Sequence, residues 1–263
     1  MRILFIGDIV SRLGRTVVGS LLPNLRRSDR VDLVVANVEN LAGGRGATRE
    51  TVEEVLGYGI DFCTSGDHIF FFPEFREEIE NLPVLRPANY PEDVPGKGFE
   101  ILDLGKEQVL LVNLLGLSVG SENVTCPFRT ADRLLTEYGG KVQVALVDFH
   151  AEKTSERRAM GFYLDGRVSA VLGTHTHVPS ADAQVLSQGT AYVTDVGMCG
   201  AKDSVLGVEK EIIIERFKYP YRKRFEWVKT GAAVFNSVLV EVGKDGKAVS
   251  IERVDKEILN PNI

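Results

Sequence analysis

Short apolar segments alternate with charged, amphipathic segments along most of the chain. The apolar segments at residues 2–7, 31–38 and 60–65 are rich in β-branched and aromatic residues, which is typical of buried strands. Between them lie stretches whose apolar residues recur with helical spacing. Because such alternation is typical of βαβ units around a largely parallel sheet, the sequence predicts the α/β class.

The same alternation resumes in the second half of the chain. Further strands are predicted at 142–149, 168–173 and 191–196. Helices are predicted at 12–28, 48–57, 73–82, 129–138, 152–163 and near 207–216.

Two stretches differ from this pattern and predict hairpins, at 99–116 and at 232–255. No linker rich in proline, glycine or serine divides the chain. We therefore predict a single domain over residues 1–263, with two packed sheets and outer helices.

The composition narrows the range of partners. The net charge of −6 argues against binding to duplex DNA or to an anionic membrane. No segment approaches the ~18 consecutive apolar residues of a membrane span. The three cysteines form no CxxC pair, which favours a reducing, cytoplasmic setting. A basic, aromatic segment at 217–227 is compatible with a subunit contact or with RNA, and we expect a homo-oligomer.

Polar residues with metal-binding side chains follow the predicted strands. All four histidines come just after an apolar segment, and so do three carboxylates and an amide. In chain order these residues are Asp8, Glu39, Asn40, Asp67, His68, His150, His175 and His177. Because ligands bind outside the carboxyl ends of strands in open α/β sheets, we expect these side chains to share one edge of the fold.

Each of these residues also has a purely structural explanation. An aspartate after a strand, such as Asp8, is commonly a helix cap or a turn residue. His150 on its own suits a hydrogen-bonded core position. The repetition of such residues at five strand ends favours a shared functional site, because all the structural explanations would otherwise have to hold together.

An extended backbone would set the directions of two pairs of side chains. His175 and His177 are two residues apart, so both would point to the same side of a strand. Asp67 and His68 are adjacent, so they would point to opposite sides, one towards a metal and the other towards a substrate.

The number of donors predicts two metal ions. Three carboxylates, an amide and three histidines exceed the needs of one tetrahedral zinc and suit two ions such as Mn, Fe or Zn. Dinuclear sites with ions ~3.5–4 Å apart activate water and stabilise displacement at phosphorus. Metal-dependent amidohydrolase barrels also use an HxH motif, but theirs follows the first strand, whereas here it comes at 175–177.

Five motifs carry a resemblance to a known family. They are "FIGDIV" (5–10), "NVENLAGGRGAT" (37–48), "TSGDHIF" (64–70), "DFHAE" (148–152) and "GTHTHVPSAD" (173–182). Their residues and order resemble the YmdB-type metallophosphoesterases, a branch of the calcineurin-like phosphoesterase superfamily. The resemblance implies a four-layer α/β/β/α sandwich, a dinuclear and often di-iron centre, and phosphodiesterase activity that includes 2',3'-cyclic nucleotides.

The resemblance also implies a role for each polar residue. One metal would be held by Asp8, Glu39, Asn40 and His177, and the other by Glu39, Asp67, His150 and His175, so that Glu39 bridges the two. His68 would be the proton donor. The sequence departs from the superfamily at one position, because the usual Gly-Asn-His motif is Gly-Asp-His here. Asp67 adds a negative charge, which should hold the ions more tightly.

These observations predict a phosphodiesterase acting on cyclic nucleotides or short RNA ends. The substrates would be 2',3'-cyclic nucleotides, with 3',5'-cyclic nucleotides as further candidates. A hydroxide bridging the metals, which we expect to be iron with manganese or zinc as alternatives, would attack phosphorus. His68 would protonate the departing alkoxide as general acid.

Several residues are candidates for binding the substrate phosphate. They are Asn40, Arg45, Arg49, Arg12 and Arg15. For each arginine, a solvated helix face is an equally good explanation. Two alternative functions stay open, namely a phosphomonoesterase using the same site and a regulatory RNA-binding or protein-binding protein that retains the metals.

Overall fold

The computed structural model describes residues 1–119, 123–221, 223–259 and 261. Within them the helices are α1 (Ser11–Ser28), α2 (Arg49–Gly57), α3 (Phe75–Glu78), α4 (Pro127–Tyr138), α5 (Thr154–Leu164) and α6 (Lys210–Lys218). The strands are β1 (Arg2–Ile6), β2 (Asp8–Ile9), β3 (Leu33–Asn37), β4 (Phe62–Thr64), β5 (Phe99–Asp103), β6 (Gln108–Leu115), β7 (Val144–His150), β8 (Ala170–Thr174), β9 (Gln184–Val185), β10 (Ala191–Val193), β11 (Met198–Ala201), β12 (Ala233–Phe235), β13 (Ser237–Val242), β14 (Ala248–Arg253) and β15 (Lys256–Ile258). The predicted α/β class is confirmed.

The first sheet has five strands in the order β14-β13-β1-β3-β4. Strands β1, β3 and β4 are parallel, with Leu4 opposite Val34 and Val35 opposite Phe62. The predicted C-terminal hairpin, β13–β14, pairs through β13 with the side of β1 opposite to β3. Because the three parallel strands run in one direction, their carboxyl ends lie at the same edge of the sheet.

The second sheet has six strands in the order β5-β6-β7-β8-β10-β9. Strands β6, β7, β8 and β10 are parallel, and the predicted hairpin β5–β6 forms one side of the sheet. The carboxyl ends of β7 and β8 are therefore adjacent, with His150 directly opposite Thr174.

A third, smaller sheet has the order β15-β12-β11-β2, and the sequence did not predict it. Residues 232–242 look like one apolar strand, but β12 and β13 belong to different sheets. Asn236 separates them, because its side-chain amide donates to the carbonyl of Met198 and its own carbonyl accepts from the amide of Gly7. The prediction of two sheets was wrong for this reason.

Three apolar cores hold the elements together. One lies between the five-stranded sheet and α1 and α2, and another lies between the two larger sheets. The third lies between the six-stranded sheet and α4 and α5. Strand β1 serves two cores, since Leu4 and Ile6 face the helices while Ile3 and Phe5 face the other sheet. This explains why β1 is apolar throughout rather than alternating.

Two of the helix predictions have different outcomes. Thr48 caps α2 as predicted, with its side chain accepting a hydrogen bond from the amide of Thr51. The helix predicted at 73–82 is shorter, because it forms one α-helical turn followed by a 3-10 turn at Ile79–Asn81. Among the helices of the described residues, none is both long and apolar enough to cross a membrane.

Candidate metal centre

The structure brings together all eight polar residues that the sequence places after strands. Asp8 begins β2 directly after β1, Glu39 and Asn40 follow β3, Asp67 and His68 follow β4, His150 ends β7, and His175 and His177 follow β8. The five-stranded sheet contributes Glu39, Asn40, Asp67 and His68, and the six-stranded sheet contributes the other three imidazoles. Asp8 lies on the third sheet, and all eight residues meet at a shared edge. We call these eight residues the polar cluster.

One half of the polar cluster contains four potential metal ligands. One ligand atom from each of Glu39, Asp67, His150 and His175 lies within 4.8 Å of the other three. Nε2 of His150 lies 3.2 Å from Oε1 of Glu39 and 3.5 Å from Oδ1 of Asp67. Gly66 permits this closeness, because a Cβ at that position would lie 2.3 Å from Nε2 of His150 and 2.4 Å from Oε2 of Glu39.

Hydrogen bonds behind His150 determine which of its nitrogens faces the cluster. Its Nδ1 lies 2.8 Å from the hydroxyl of Thr174, and that hydroxyl donates to Asp148 over 2.7 Å. Burial raises the pKa of Asp148 to about 6, and the ionised carboxylate accepts the hydrogen bond from Thr174. Since the single hydroxyl hydrogen of Thr174 points to Asp148, Nδ1 of His150 donates to that hydroxyl and Nε2 faces the cluster.

His175 directs the lone pair of its Nδ1 towards the same half of the polar cluster. Its Nε2 lies 3.0 Å from a carboxylate oxygen of Glu152, which favours the tautomer with the hydrogen on Nε2. Its Nδ1 then faces Nε2 of His150 at 3.0 Å. Either a proton on His150 or a metal ion between the two nitrogens would engage the lone pair of His175, and with the neighbouring carboxylates this donor set fits a metal ion.

The other half of the cluster centres on Asp8 and His177. Nε2 of His177 lies 3.7 Å from Oδ1 of Asp8 and 3.2 Å from the amide nitrogen of Asn40. Nδ1 of His177 lies 3.3 Å from the carbonyl oxygen of Leu206, which can only accept, so Nε2 is again the free nitrogen. The amide nitrogen of Asn40 also lies 3.2 Å from Oε1 of Glu39, which places Glu39 between the two halves.

Within the polar cluster, two buried carboxylate oxygens have no hydrogen-bond partner among the described residues. They are Oδ1 of Asp8 and Oδ1 of Asp67, one in each half of the cluster. An unpaired buried carboxylate oxygen is costly, and a metal ion is one of the few groups that can compensate it. Both halves therefore fit a metal ion.

The carboxylates and histidines of the cluster shift one another's pKa values. Burial opposes the charging of His150, but Glu39 and Asp67 outweigh it and raise the pKa of His150 well above its usual value. Burial also opposes the ionisation of Glu39, yet His150 and His68 hold its pKa well below the usual range. Burial and the neighbouring His150 lower the pKa of His175 to about 4. The cluster thus attracts positive charge while keeping His175 neutral.

The extended backbone assumed for both pairs was wrong. His175 and His177 have φ values of 105° and 64°, so the HxH segment is not extended, and the two rings face different halves of the cluster. Residues 67–70 form a turn, in which Asp67 lies among the four potential ligands and His68 borders the cavity. In each case tight turns after the strand replace the extended backbone that the prediction assumed.

His68 lies at the boundary between the cluster and a cavity of about 530 Å³. Its Nδ1 lies 3.3 Å from Oε1 of Glu39, and its Nε2 lies 3.4 Å from Oδ2 of Asp67. Burial lowers its pKa, but Glu39 and Asp67 outweigh burial and raise the pKa above the usual value. With a carboxylate beside each ring nitrogen, the protonated ring is favoured.

The arginine candidates separate into two groups. Arg45 is exposed and lines the cavity beside Asn40 and His68. Arg15 pairs with Glu54 at 2.8 Å and Arg49 with Glu53 at 3.4 Å. Arg12 is exposed on α1 and does not line this cavity.

Four functional candidates were missed by the sequence prediction. Asp148 and Thr174 orient His150, and the buried pair of Arg157 and Asp195 holds the loop that carries His175 and His177. Asp148 and Thr174 lie inside motifs that were recognised, so their polarity within buried strands was a usable signal. Arg157 had no such signal, because an arginine in an amphipathic helix is usually solvated.

Solved structures with the same fold are close relatives. A crystal structure of a hypothetical protein from Thermus thermophilus has a TM-score of 0.91 and 43% identity, covering 98% of this chain and 99% of that one. A crystal structure of a novel phosphatase from Mycoplasma pneumoniae has a TM-score of 0.94 and 33% identity, covering 99% and 95%. The mixed α/β fold and the polar cluster at its strand ends define a metallophosphoesterase.

Sequence comparison identifies the family within this class. A model of the YmdB-like protein family matches residues 4–254. The chain is 41% identical over 256 residues to the 2',3'-cyclic-nucleotide 2'-phosphodiesterase of Bacillus subtilis (strain 168), covering 97% of this chain and 96% of that protein. This chain belongs to the YmdB-like family, which confirms the resemblance carried by the five motifs.

Proposed function

We propose that the chain is a dinuclear metal-dependent phosphodiesterase that opens 2',3'-cyclic nucleotides. The observation that carries this proposal is the polar cluster, in which ring nitrogens of two histidines face each other at 3.0 Å beside two carboxylates. The relative from Bacillus subtilis, named a 2',3'-cyclic-nucleotide 2'-phosphodiesterase, supports the choice of substrate.

Two metal ions would share Glu39. Asp8, Asn40 and His177 would complete one site, and Asp67, His150 and His175 the other. When bound, the ions would supply an activated water and neutralise charge on the phosphate oxygens. The mixture of carboxylate and imidazole donors suits borderline ions, and we propose iron, with manganese or zinc as alternatives.

His68 is the proposed general acid. It lines the cavity, its side chain is 26% exposed, and its neighbours favour the protonated ring. A protonated histidine at this place can donate a proton to the oxygen that leaves phosphorus. It is not one of the four potential ligands that share one space, so its ring stays available to the substrate side.

Arg45 and Asn40 are the proposed phosphate-binding residues. Both line the cavity next to the polar cluster. The guanidinium of Arg45 can donate paired hydrogen bonds to phosphate oxygens. Arg15 and Arg49 are not favoured for this role, because carboxylates of Glu54 and Glu53 already engage them.

The scaffold for this activity is proposed to be a single domain with the four-layer α/β/β/α arrangement. The order of the three cores, from helices to sheet to sheet to helices, supports it. The homo-oligomer stays a prediction.

Parallel assays on three substrates test the proposed function. They are 2',3'-cyclic AMP, 3',5'-cyclic AMP and p-nitrophenyl phosphate, each with wild type and His68→Ala. We expect wild type to hydrolyse the 2',3'-cyclic ester fastest. In His68→Ala, kcat should fall by about 10²–10⁴-fold while metal content stays the same.

Turnover of p-nitrophenyl phosphate alone would contradict the diesterase and favour the second candidate, a phosphomonoesterase. That candidate has support of its own, because the Mycoplasma pneumoniae neighbour is described as a phosphatase. Full activity in His68→Ala would remove the acid role from His68.

A further inference from the structure

The cavity beside the polar cluster has two chemically different sides. One side consists of polar cluster residues together with Gly44, Arg45, Glu152 and Thr176. The other consists of side chains from α6, the turn at 205–208 and the segment 225–227. The apolar residues on the second side are Val205, Leu206, Val208, Ile213, Phe217, Phe225 and Trp227. We call this side the aromatic wall. At about 530 Å³ in total, the cavity is large enough for a nucleotide.

Trp227 is held firmly within the aromatic wall. Its ring packs against two glycines, since a Cβ on Gly44 would lie 2.1 Å from the indole and one on Gly207 would lie 3.1 Å from it. The backbone around it pairs with the turn, as the amide of Val228 donates to the carbonyl of Gly207 over 3.0 Å. Both glycines have positive φ, so larger residues would be strained there as well as clashing.

The aromatic wall is joined directly to the polar cluster. Leu206 lines the cavity, and its carbonyl accepts the hydrogen bond from Nδ1 of His177 at 3.3 Å. A group bound against the wall therefore lies next to a group bound at the cluster, as the two ends of one nucleotide would.

Phe217 and Phe225 present aromatic surface to this cavity. Phe217 is 89% exposed although it is a large apolar side chain, and it has no role in the three cores. The guanidinium of Arg216 lies 4.3 Å from the ring centre of Phe225, which adds positive charge at the same place. Exposed aromatic rings beside a polar site are a common way of binding flat ligands.

We infer that the aromatic wall binds the base of the nucleotide by stacking while its phosphate lies at the polar cluster. The assignment of the phosphate rests on the proposed function. Stacking accepts any base, because every base has a π-face. Among the described residues on this side of the cavity, only Arg216 and the indole N–H of Trp227 offer polar groups to the edge of a base, and both can only donate. Purine and pyrimidine nucleotides should therefore both bind.

The basic, aromatic segment at 217–227 acquires a specific role in this proposal. Within its described residues, which exclude residue 222, three aromatic side chains line the cavity. Tyr219 and Tyr221 stack on each other with ring centres 5.3 Å apart and do not line it. The segment thus contributes to a small-molecule site instead of an extended RNA surface.

Binding can be measured without turnover, because Trp227 is the single tryptophan of the chain. Adenosine 3'-monophosphate and glycerol 3-phosphate, which lacks a base, are titrated into wild type, Phe217→Ala and Phe162→Ala with excitation at a wavelength that adenine does not absorb. Phe162 is 57% exposed on α5 and does not line the cavity, so it is the matched control.

We expect only the adenosine compound to change the emission of Trp227. The concentration of adenosine 3'-monophosphate that gives half of this change should be about tenfold higher for Phe217→Ala than for wild type. For Phe162→Ala it should equal that of wild type. In parallel, KM for 2',3'-cyclic AMP should rise about tenfold in Phe217→Ala, with kcat/KM for glycerol 1,2-cyclic phosphate unchanged.

The outcomes separate the two proposals. A response to the adenosine compound in a protein that hydrolyses neither cyclic ester would overturn the proposed function and support the base site. The base site alone would be overturned if both esters are hydrolysed and Phe217→Ala slows them equally. It would also be overturned if both are hydrolysed, Phe217→Ala affects neither, and the emission of Trp227 does not change.

Discussion

Thr174 decides which nitrogen of His150 is available at the polar cluster. Replacing it with valine removes both the acceptor for Nδ1 of His150 and the link to Asp148. Because such supporting residues orient metal ligands, we expect Thr174→Val to weaken metal binding by about 10–100-fold. Titrating chelator-treated protein with Mn²⁺ or Zn²⁺ measures this.

Thr174→Ser is the matched control, because it keeps the hydroxyl and should keep most of the affinity. Equal affinity in the valine variant and wild type would show that the hydroxyl does not orient His150.

Asp67 differs from the asparagine usual in the superfamily, and it lies 3.4 Å from Nε2 of His68. Burial lowers the pKa of His68, while Glu39 and then Asp67 raise it. Asp67→Asn removes one of the raising charges, so the pKa of His68 should fall. A general acid must carry its proton to act. The alkaline limb of the pH–activity profile should therefore move to lower pH in this variant.

The pH profile of kcat/KM for 2',3'-cyclic AMP checks this prediction. An alkaline limb that stays in place or moves upward would contradict the assignment of His68 as the acid.

The loop after β8 depends on a buried ion pair that lies outside the polar cluster. Arg157 is 1% exposed, pairs with Asp195 and donates to the carbonyl of Thr174 over 2.7 Å. Asp195 in turn accepts from the amide and the hydroxyl of Thr176, between His175 and His177. The helix α5 therefore fixes a loop that belongs to a neighbouring strand.

Arg157→Met should destabilise the protein strongly, because it leaves Asp195 buried without its partner. We expect a loss of about 3–5 kcal/mol in the free energy of unfolding, measured by urea denaturation. Arg158→Met is the control on the same helix. Its pair with Asp182 is 3.9 Å long and its side chain is 37% exposed, so that loss should be about 1 kcal/mol or less. Equal losses would show that the buried pair has no special role.

At the level of elements, the sequence predicted the parallel strands and most helices correctly, because apolar runs and helical spacing carry that information directly. Strands β2, β9 and β11 are only two to four residues long, which is too short for periodicity to show. The turns at 67–70 and 175–177 were missed for a different reason. Their backbone amides donate to distant carboxylates, which no local pattern reveals. The amide of His68 donates to Glu39 in the first turn, and the second turn is held by Asp8 and Asp195.

At the level of the whole molecule, the polar cluster connects the two larger sheets. Glu39 and Asp67 follow strands of the five-stranded sheet, and His150 and His175 belong to the six-stranded one. Bound ions would therefore join the sheets at this edge. Chelation should raise amide hydrogen exchange at 65–70 and 174–178 while β1 stays protected, and should lower Tm. Exchange that is unchanged at both segments would contradict a metal link between the sheets.

The membership of the polar cluster could be predicted from sequence, because parallel strands bring their carboxyl ends to one edge whatever their exact packing. The division into two halves could not be derived from spacing, since it depends on how two sheets meet and on the turn at His175. The aromatic wall could not be predicted from the sequence either. The sequence marked 217–227 as unusual, but only the packing of Trp227 on Gly44 and Gly207 places that segment beside the cluster.

The central claim is that Glu39 serves two metal ions. Elemental analysis of the metal-to-protein ratio tests it most directly in wild type, Asp8→Asn, His175→Gln and Glu39→Gln, all purified in the same way and shown to be folded by circular dichroism. We predict two ions per chain in wild type, about one in Asp8→Asn and in His175→Gln, and fewer than one in Glu39→Gln. A single ion per chain in wild type, or a Glu39→Gln variant that retains as much metal as Asp8→Asn, would contradict it.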